Sequence, residues 1–227
     1  MTLLSALINA CEADLADSGN ATWSAADVEQ WCRDAIADYS LHFPRIKQQD
    51  ITTSLNDRQY DLNADFRTVL EVEYPQGEDP PEFLKPRSQY HPSFWTEDGF
   101  YSVYHHHDDA DPDELLISTK PAASETIRVK YQTVHDNTIL TSAAITVPDE
   151  HHHILRNYVL WRAALQLKAI EEASPTSNSS LLMSQLAINV DRARRSYVDS
   201  LAKAVYADSK SGLVSWKDQS EEATRIY

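Results

Sequence analysis

The stretch Thr146–Leu167, TVPDEHHHILRNYVLWRAALQL, places three consecutive histidines directly ahead of an apolar run. Successive residues of a helix point about 100° apart, so His151, His152 and His153 cannot all face one ion. Zinc sites on helices favour ligands four residues apart, and the residues four positions after these histidines are Leu155, Arg156 and Asn157, none of which is a zinc ligand. We therefore expect no metal at this triplet.

The residues before the triplet are typical of a helix start. Thr146 is a candidate cap, and Pro148 suits the first turn. Asp149 and Glu150 suit the positive end of the helix dipole. The sequence therefore predicts a helix from Pro148 to about residue 173.

Beyond this helix, we expect SPTSN to form a short turn and a last helix to follow over about residues 180–207. A short turn predicts an antiparallel helical hairpin. The residues of the last helix that recur on its inward side are Leu182, Leu186, Ala193, Tyr197, Leu201 and Ala204. Residues 208–227 are more irregular and polar, and we expect them to form an extended C-terminal arm.

Two further helices are predicted at the N-terminus. The first ends at about Ala16 before DSGNAT. The second has Ser24 as a cap, Asp27 at the third helical position, and Trp23 positioned to pack on Val28. We expect this helix to end at Pro44.

The region between the helices alternates in the period of strands and is interrupted by Pro, Asp and Asn turns. Leu70, Val72 and Tyr74 are expected to face inward, with Glu71 and Glu73 outward. Further strands are expected at 100–104, 115–118 and 127–134, which makes this an antiparallel β region.

The predicted fold class is α+β. Residues 1–47 and 148–207 form a helical body, with two N-terminal helices and the C-terminal hairpin. Residues 48–147 form a β-rich antiparallel insertion, and residues 208–227 form the arm.

Composition narrows the possible functions. The chain has 227 residues and a net charge of −15, which argues against a general nucleic-acid-binding surface because phosphate contacts need clustered Lys and Arg. Only four glycines occur, too few for a glycine-rich phosphate loop. Cys11 and Cys32 fall on apolar helix faces, where we expect free thiols. We expect neither a membrane span nor an export leader.

A second triplet, His105–His107, is followed by DDADPDE. If the preceding strand continues, His105 and His107 share one face and could chelate zinc, with Asp108 or Asp109 as a third ligand. A calcium loop is disfavoured because glycine and the closing acid are missing from their positions. A solvated loop is the alternative, and a metal-dependent enzyme using this triplet stays open as a competing function.

The last helix carries a concentrated basic patch, formed by Arg192, Arg194 and Arg195. These arginines could contact nucleic acid, but pairing with carboxylates across a subunit interface is favoured in so acidic a chain. No G-x-S-x-G, H-E-x-x-H, C-x-x-C or Walker motif occurs, so we expect a non-enzymatic protein without cofactors.

Several segments together carry a resemblance. They are TWSAADVEQWCRDAIADYSLHFPR from Thr22, YDLNADFRTVLEVEYP from Tyr60, FWTEDGFYSV from Phe94 and WKDQSEEATRIY from Trp216. The chain resembles adaptor, or head-to-tail connector, proteins of tailed bacteriophages over nearly its whole length. The family pattern DLPADF is here DLNADF, with Asn63 in place of proline. Asparagine also tolerates turns, so we expect the turn to be kept with some loss of rigidity.

The resemblance implies a structural protein of the virion neck, made in the host cytoplasm. It implies a ring of about twelve copies, with a central channel through which DNA passes without specific binding. The partners would be the portal protein, neighbouring adaptor subunits and downstream neck or tail proteins. Another neck component, such as a stopper or tail-completion protein, is the nearest alternative.

The resemblance also suggests where these contacts lie. The arm would reach the portal protein through its anchors, Leu213, Val214, Trp216, Arg225, Ile226 and Tyr227. The helix from Pro148 is apolar on more than one side, so Trp161 is a candidate for a subunit interface together with the three arginines. A negative channel lining would let DNA slide.

Overall fold

The computed structural model describes residues 2–16, 22–106, 112–173 and 179–224, without the side chains of 179–181 and 208–224. The chain divides into two compact units. The helical unit comprises residues 1–43 and 135–227, and the sheet unit comprises residues 44–134.

The helical unit begins with α1, Leu4–Asp14, and α2, Ala25–His42. The predicted cap of α2 is confirmed. The Ser24 hydroxyl accepts from the Asp27 backbone N–H at 3.1 Å, and the Asp27 carboxylate accepts from the Ser24 backbone N–H, which completes a capping box. Trp23 is buried beside Trp31, with ring centroids 5.5 Å apart.

Each of these two helices contributes one buried cysteine. Cys32 Sγ donates to Cys11 Sγ at 3.8 Å, and both thiols are free. That hydrogen bond and burial raise the pKa of the Cys32 thiol.

The predicted helix after Pro148 is confirmed as a short 3-10 turn, Asp149–His151, that leads into α3, His152–Ala173. Thr146 is not its cap. Pro148 precedes the turn without any side-chain cap, and Thr146 Oγ1 lies instead 2.8 Å from His135 Nδ1. Because His135 also contacts Phe43 and Ser40, residues 135–147 group with the helical unit and not with the insertion to which we assigned them.

The antiparallel hairpin is observed, with α3 packed against α4, Ser179–Thr224. Tyr197 is buried and Leu201 and Ala204 pack on the helical core, as their spacing predicted. The fully buried core residues of α3 are Ile154, Leu155, Val159 and Ala163.

The end of α4 corrects the sequence prediction. We expected helix to about residue 207 and then an irregular arm over 208–227, but the helix continues without a break to Thr224. Residues 208–224 contain no proline, and Gly212 alone costs only about 1 kcal/mol of helix propensity. A solvated helix can consist largely of polar residues, so a polar composition does not identify the end of a helix.

The sheet unit contains two sheets. One has the order β1–β7–β3, formed by Arg45–Thr52, Thr126–Thr133 and Thr68–Glu73. The other has the order β2–β6–β5–β4, formed by Gln59–Asp61, Glu114–Ile117, Phe100–Tyr104 and Lys85–Pro86. All pairings are antiparallel except β4 with β5.

Alternation along β7 holds as predicted. Ile127, Val129 and Tyr131 are buried in the core of this unit, while Arg128 and Lys130 face outward. The outward groups form ion pairs across the sheet, Arg128 with Asp50 at 2.9 Å and Lys130 with Glu71 at 3.1 Å. Opposite charges on adjacent strands favour this register on the solvent side.

The predicted inward position of Leu70 is wrong. A bulge separates Val69, which pairs with Tyr131, from Glu71, which pairs with Lys130. The extra residue is Leu70, and its side chain is 45% exposed. A bulge of this kind shifts the side-chain alternation by one position, so Val69 packs on the core in its place.

Candidate interaction surfaces

One side of α4 faces away from α3 and carries both apolar and charged groups. Ile188, Arg192, Arg195, Asp199 and Tyr206 recur at intervals that place them on one helix face, and all five are exposed. Ile188 is 57% and Tyr206 68% exposed. We call this set the outward face of α4.

The three predicted interface arginines are all solvent-accessible. Arg192 and Arg195 belong to the outward face, and Arg194 lies on a neighbouring side of the helix, next to Val198, which is 49% exposed. In the described part of the chain, none of the three guanidinium groups forms an ion pair. They are available for carboxylates from outside this chain.

Trp161 is positioned differently from the arginines. Its indole stacks on Tyr197, with centroids 5.9 Å apart and planes at 9°, and meets Tyr158 edge-on at 5.6 Å. Tyr197 in turn donates its hydroxyl hydrogen to the Asp38 carboxylate. Burial and this carboxylate raise the pKa of Tyr197. The intrachain packing accounts for Trp161, and its role at a subunit interface stays a prediction.

The predicted portal-binding residues cannot be placed as side chains. Leu213, Val214 and Trp216 lie on the α4 backbone, but their side chains fall outside the described part of the structure. Arg225, Ile226 and Tyr227 lie beyond the described residues altogether. Their assignment stays a prediction.

The first histidine triplet has three separate partners. His151 Nδ1 lies 2.6 Å from the Tyr39 hydroxyl, His152 Nε2 lies 3.2 Å from the Val147 carbonyl oxygen, and His153 Nδ1 lies 2.7 Å from the Glu150 carbonyl oxygen. The rings diverge as the helical geometry requires. These contacts connect the start of α3 to α2 and to the residues directly before the helix.

In the second triplet, each described histidine is next to a different acid. His105 Nδ1 lies 2.8 Å from Asp113 Oδ2, and His106 Nε2 lies 3.3 Å from Glu114 Oε2. His107, Asp108 and Asp109 lie outside the described residues. Among the residues that are described, no group of three or more His, Cys, Asp or Glu side chains is arranged to hold a metal ion.

The turn with Asn63 is kept. The Phe66 backbone N–H donates to the Asn63 carbonyl oxygen at 2.9 Å, and the Asn63 amide donates to the Tyr131 hydroxyl at 2.9 Å. Tyr131 donates to Asp65 Oδ1 at 3.0 Å, and Lys47 forms an ion pair with the same carboxylate. Proline could not supply this side-chain amide, so Asn63 connects the turn to β7 in a way that the family pattern does not.

The electrostatics of this turn favour an ionised Asp65. Partial burial acts to raise the pKa of its carboxyl. Hydrogen bonds from Lys47, Tyr131 and Thr133 outweigh burial, so the pKa is lowered.

Sequence reasoning missed a cleft in the sheet unit. It measures about 440 Å³ and is lined by residues 66–69, 86–88, 101–103 and 105. Two arginines line it. Arg87 lies over the Phe100 ring at 3.6 Å and pairs with Glu97 at 3.2 Å, while Arg67 is exposed. No local motif marks this cleft, because its walls come from segments distant in sequence.

Comparison with known proteins identifies the family of the chain. No helix in the described ranges combines the length and the apolar character needed to cross a membrane. Residues 1–204 match the family model of the SU10 adaptor protein, so the class is that of the phage head–tail adaptors. The chain belongs to the SU10 adaptor protein family. No curated protein matches it in sequence.

Membership defines the general role. The protein is a structural component of a bacteriophage virion and interacts with other parts of the neck, portal or tail. The resemblance noted from the sequence is thereby confirmed at the level of the family.

Proposed function

We propose that the protein is the subunit of an oligomeric ring that joins portal to tail and encloses a central DNA channel. The observation that carries this proposal is the outward face of α4, within a chain whose residues 1–204 match an adaptor family. A subunit of a ring needs a surface for its neighbours, and this helix has one that its own hairpin leaves uncovered.

The chemistry of the outward face suits a contact between copies. Ile188 and Tyr206 provide apolar anchors, and an exposed tyrosine is among the residues enriched at interfaces. Arg192 and Arg195 can form forked hydrogen bonds with carboxylates. The chain carries 35 acidic residues, so a neighbouring copy offers many such partners.

The net charge supports a channel through which DNA slides. At −15 per copy, a ring of these subunits repels the phosphate backbone and displaces few counterions from it. Affinity for DNA would obstruct passage. An acidic lining therefore suits a conduit better than it suits a DNA-binding factor using Arg192, Arg194 and Arg195.

The continuation of α4 supports a separate role for the C-terminus. Ala204 packs on the helical core, and the helix runs on to Thr224. Twenty helical residues span about 30 Å. We assign this segment, with Arg225, Ile226 and Tyr227 after it, to docking on the portal.

Deletion of residues 208–227 tests the docking role. The truncated protein should retain its unfolding transition in urea and lose binding to purified portal in a sedimentation assay. The matched control keeps the length and composition of the segment but scrambles its order, and it should also fail to bind. Binding by either variant at the level of the intact chain contradicts the assignment.

Charge reversal tests the ring contact. Arg195→Glu should reduce the number of complete rings seen on portal by electron microscopy, because it removes a cation from the outward face. Lys168→Glu makes the same change of charge on α3, where Lys168 pairs with Glu172 at 3.6 Å, and should assemble normally. Equal assembly of the two variants would remove the outward face from the subunit contact.

A further inference from the structure

The cleft of the sheet unit and an acidic loop of the same unit have complementary charges. Arg67 is exposed and, among the described residues, its guanidinium has neither an ion-pair partner nor a hydrogen-bond partner. Three described acids close in sequence to the cleft residues, or paired with them, are already engaged: Asp65 with Lys47, Glu97 with Arg87, and Asp113 with His105. Within the described ranges, Arg67 therefore leaves the cleft with an unpaired positive charge.

The acidic loop consists of residues 76–83, with the sequence QGEDPPEF. Glu78, Asp79 and Glu82 are exposed, and none of them forms an ion pair within the part of the chain that the structure describes. Phe83 follows them and is 48% exposed. The loop thus presents three carboxylates next to an apolar ring.

These two features lie at opposite ends of β3. The cleft includes Thr68 and Val69, where the strand begins, and the loop follows Glu73, where it ends. The bridge between Glu73 and Phe83, together with the hydrogen bond from the Leu84 N–H to the Val72 carbonyl oxygen, holds the end of the loop beside Glu73 and away from Thr68 and Val69. Patches that are different and complementary produce a head-to-tail contact, which closes a ring when the rotation allows.

We propose that the acidic loop of one copy inserts into the cleft of a second copy. Phe83 enters beside Phe66 and Tyr101, and the carboxylates of the loop face Arg67. The contact forms between copies in solution at high protein concentration, without portal. It rests on the proposed function only because a ring needs contacts between its subunits.

A photo-cross-linker in place of Phe83 tests the contact. Phe83→benzoylphenylalanine is incorporated in the full chain and mixed at about 1 mM with a copy labelled with ¹⁵N; mass spectrometry then identifies cross-links between light and heavy chains. We expect links to residues 66–69, 86–88 or 101–105. The matched control is Leu55→benzoylphenylalanine, which is 67% exposed in the same unit and should give no links to these segments. Links only to other segments, or none between copies, overturn the proposal.

Charge swapping provides a second readout. Arg67→Glu in the heavy chain should reduce the cross-link yield about tenfold, since like charges then meet. The reversed loop Glu78→Arg with Glu82→Arg should restore the yield to that partner. Circular dichroism verifies folding, and if Arg67→Glu does not fold, Arg67→Gln replaces it with a smaller expected loss. Yields independent of the charge at position 67 also overturn the proposal.

The outcomes separate this contact from the proposed function. A ring on portal whose Phe83 position does not link to the cleft refutes the contact alone. A specific link between copies that never form a ring on portal refutes the proposed function and leaves the contact standing.

Discussion

The phenol oxygen of Tyr39 lies 2.6 Å from Nδ1 of His151, which joins α2 to the turn that begins α3. Tyr39 is only 2% exposed, and its ring stacks on Phe43 with centroids 5.0 Å apart. A buried hydroxyl and an imidazole nitrogen satisfy one another here. The first residue of the histidine triplet thus serves the packing of the helical unit.

Removing this hydroxyl should destabilise the protein. Tyr39→Phe leaves the ring in place but deprives His151 of its partner, and we expect a loss of about 1 kcal/mol in the free energy of unfolding. Urea unfolding of the full chain measures it. Tyr90→Phe removes a hydroxyl from a residue that is 83% exposed and should have no effect. Equal unfolding free energies for the two variants would contradict the structural role of this bond.

The capping box of α2 should contribute measurably. Ser24→Ala removes the acceptor for the Asp27 N–H, and we expect it to cost about 1 kcal/mol. Ser24→Thr keeps a hydroxyl that accepts from the Asp27 N–H and donates to the Asp27 carboxylate, and it should retain most of the stability. Thermal unfolding distinguishes them, and a fall in melting temperature of the same size in both variants would show that the hydroxyl acts otherwise.

The turn at Asp65 should make stability depend on pH. The pKa of this carboxyl is below its ordinary value of 3.8 in the folded protein. Its ionised form therefore stabilises the fold above the unfolded-state pKa, and this contribution is lost as pH falls through the folded-state pKa. The difference in unfolding free energy between the protein and Asp65→Asn should be largest near neutral pH and shrink in acid. A difference that stays constant from pH 7 to about pH 2 would contradict it.

The two cysteines should resist alkylation in the native state. The hydrogen bond with Cys11 and burial raise the pKa of Cys32 and so disfavour its thiolate, which is the reactive form. Burial also shields both thiols from the reagent. We expect iodoacetamide at pH 8 to modify neither thiol until urea unfolds the chain, as followed by intact mass. Ser54→Cys places a thiol at an exposed position and should react at once. Rapid native labelling of Cys11 or Cys32 would show that the α1–α2 contact opens.

Much of the fold could be predicted because local signals coincide with tertiary ones. Ser24 and Asp27 identify the start of α2 by their own hydrogen bonds. In β7, Ile127 and Val129 alternate with cations because one side of the strand is buried. Such signals are contained in a few consecutive residues, so they can be read from the chain alone.

Other features depend on contacts that no short segment contains. The strand β1, RIKQQDIT, shows little apolar alternation and is held by its pairing with β7. The bulge at Leu70 exists because Val69 and Glu71 pair with adjacent residues of that same strand. The cleft beside Arg67 gathers three separated segments. The outward face of α4, in contrast, follows from helical spacing, and its arginines could be named in advance.

The unbroken course of α4 changes what its C-terminal end can do. A disordered chain of twenty residues has a root-mean-square reach of about 25 Å in every direction, so its end must search a volume and lose that freedom on binding. A helix covers a similar distance but keeps one heading. The end of α4 therefore approaches any partner in one direction relative to the hairpin. The relative orientation of the two proteins is set before their surfaces come into contact.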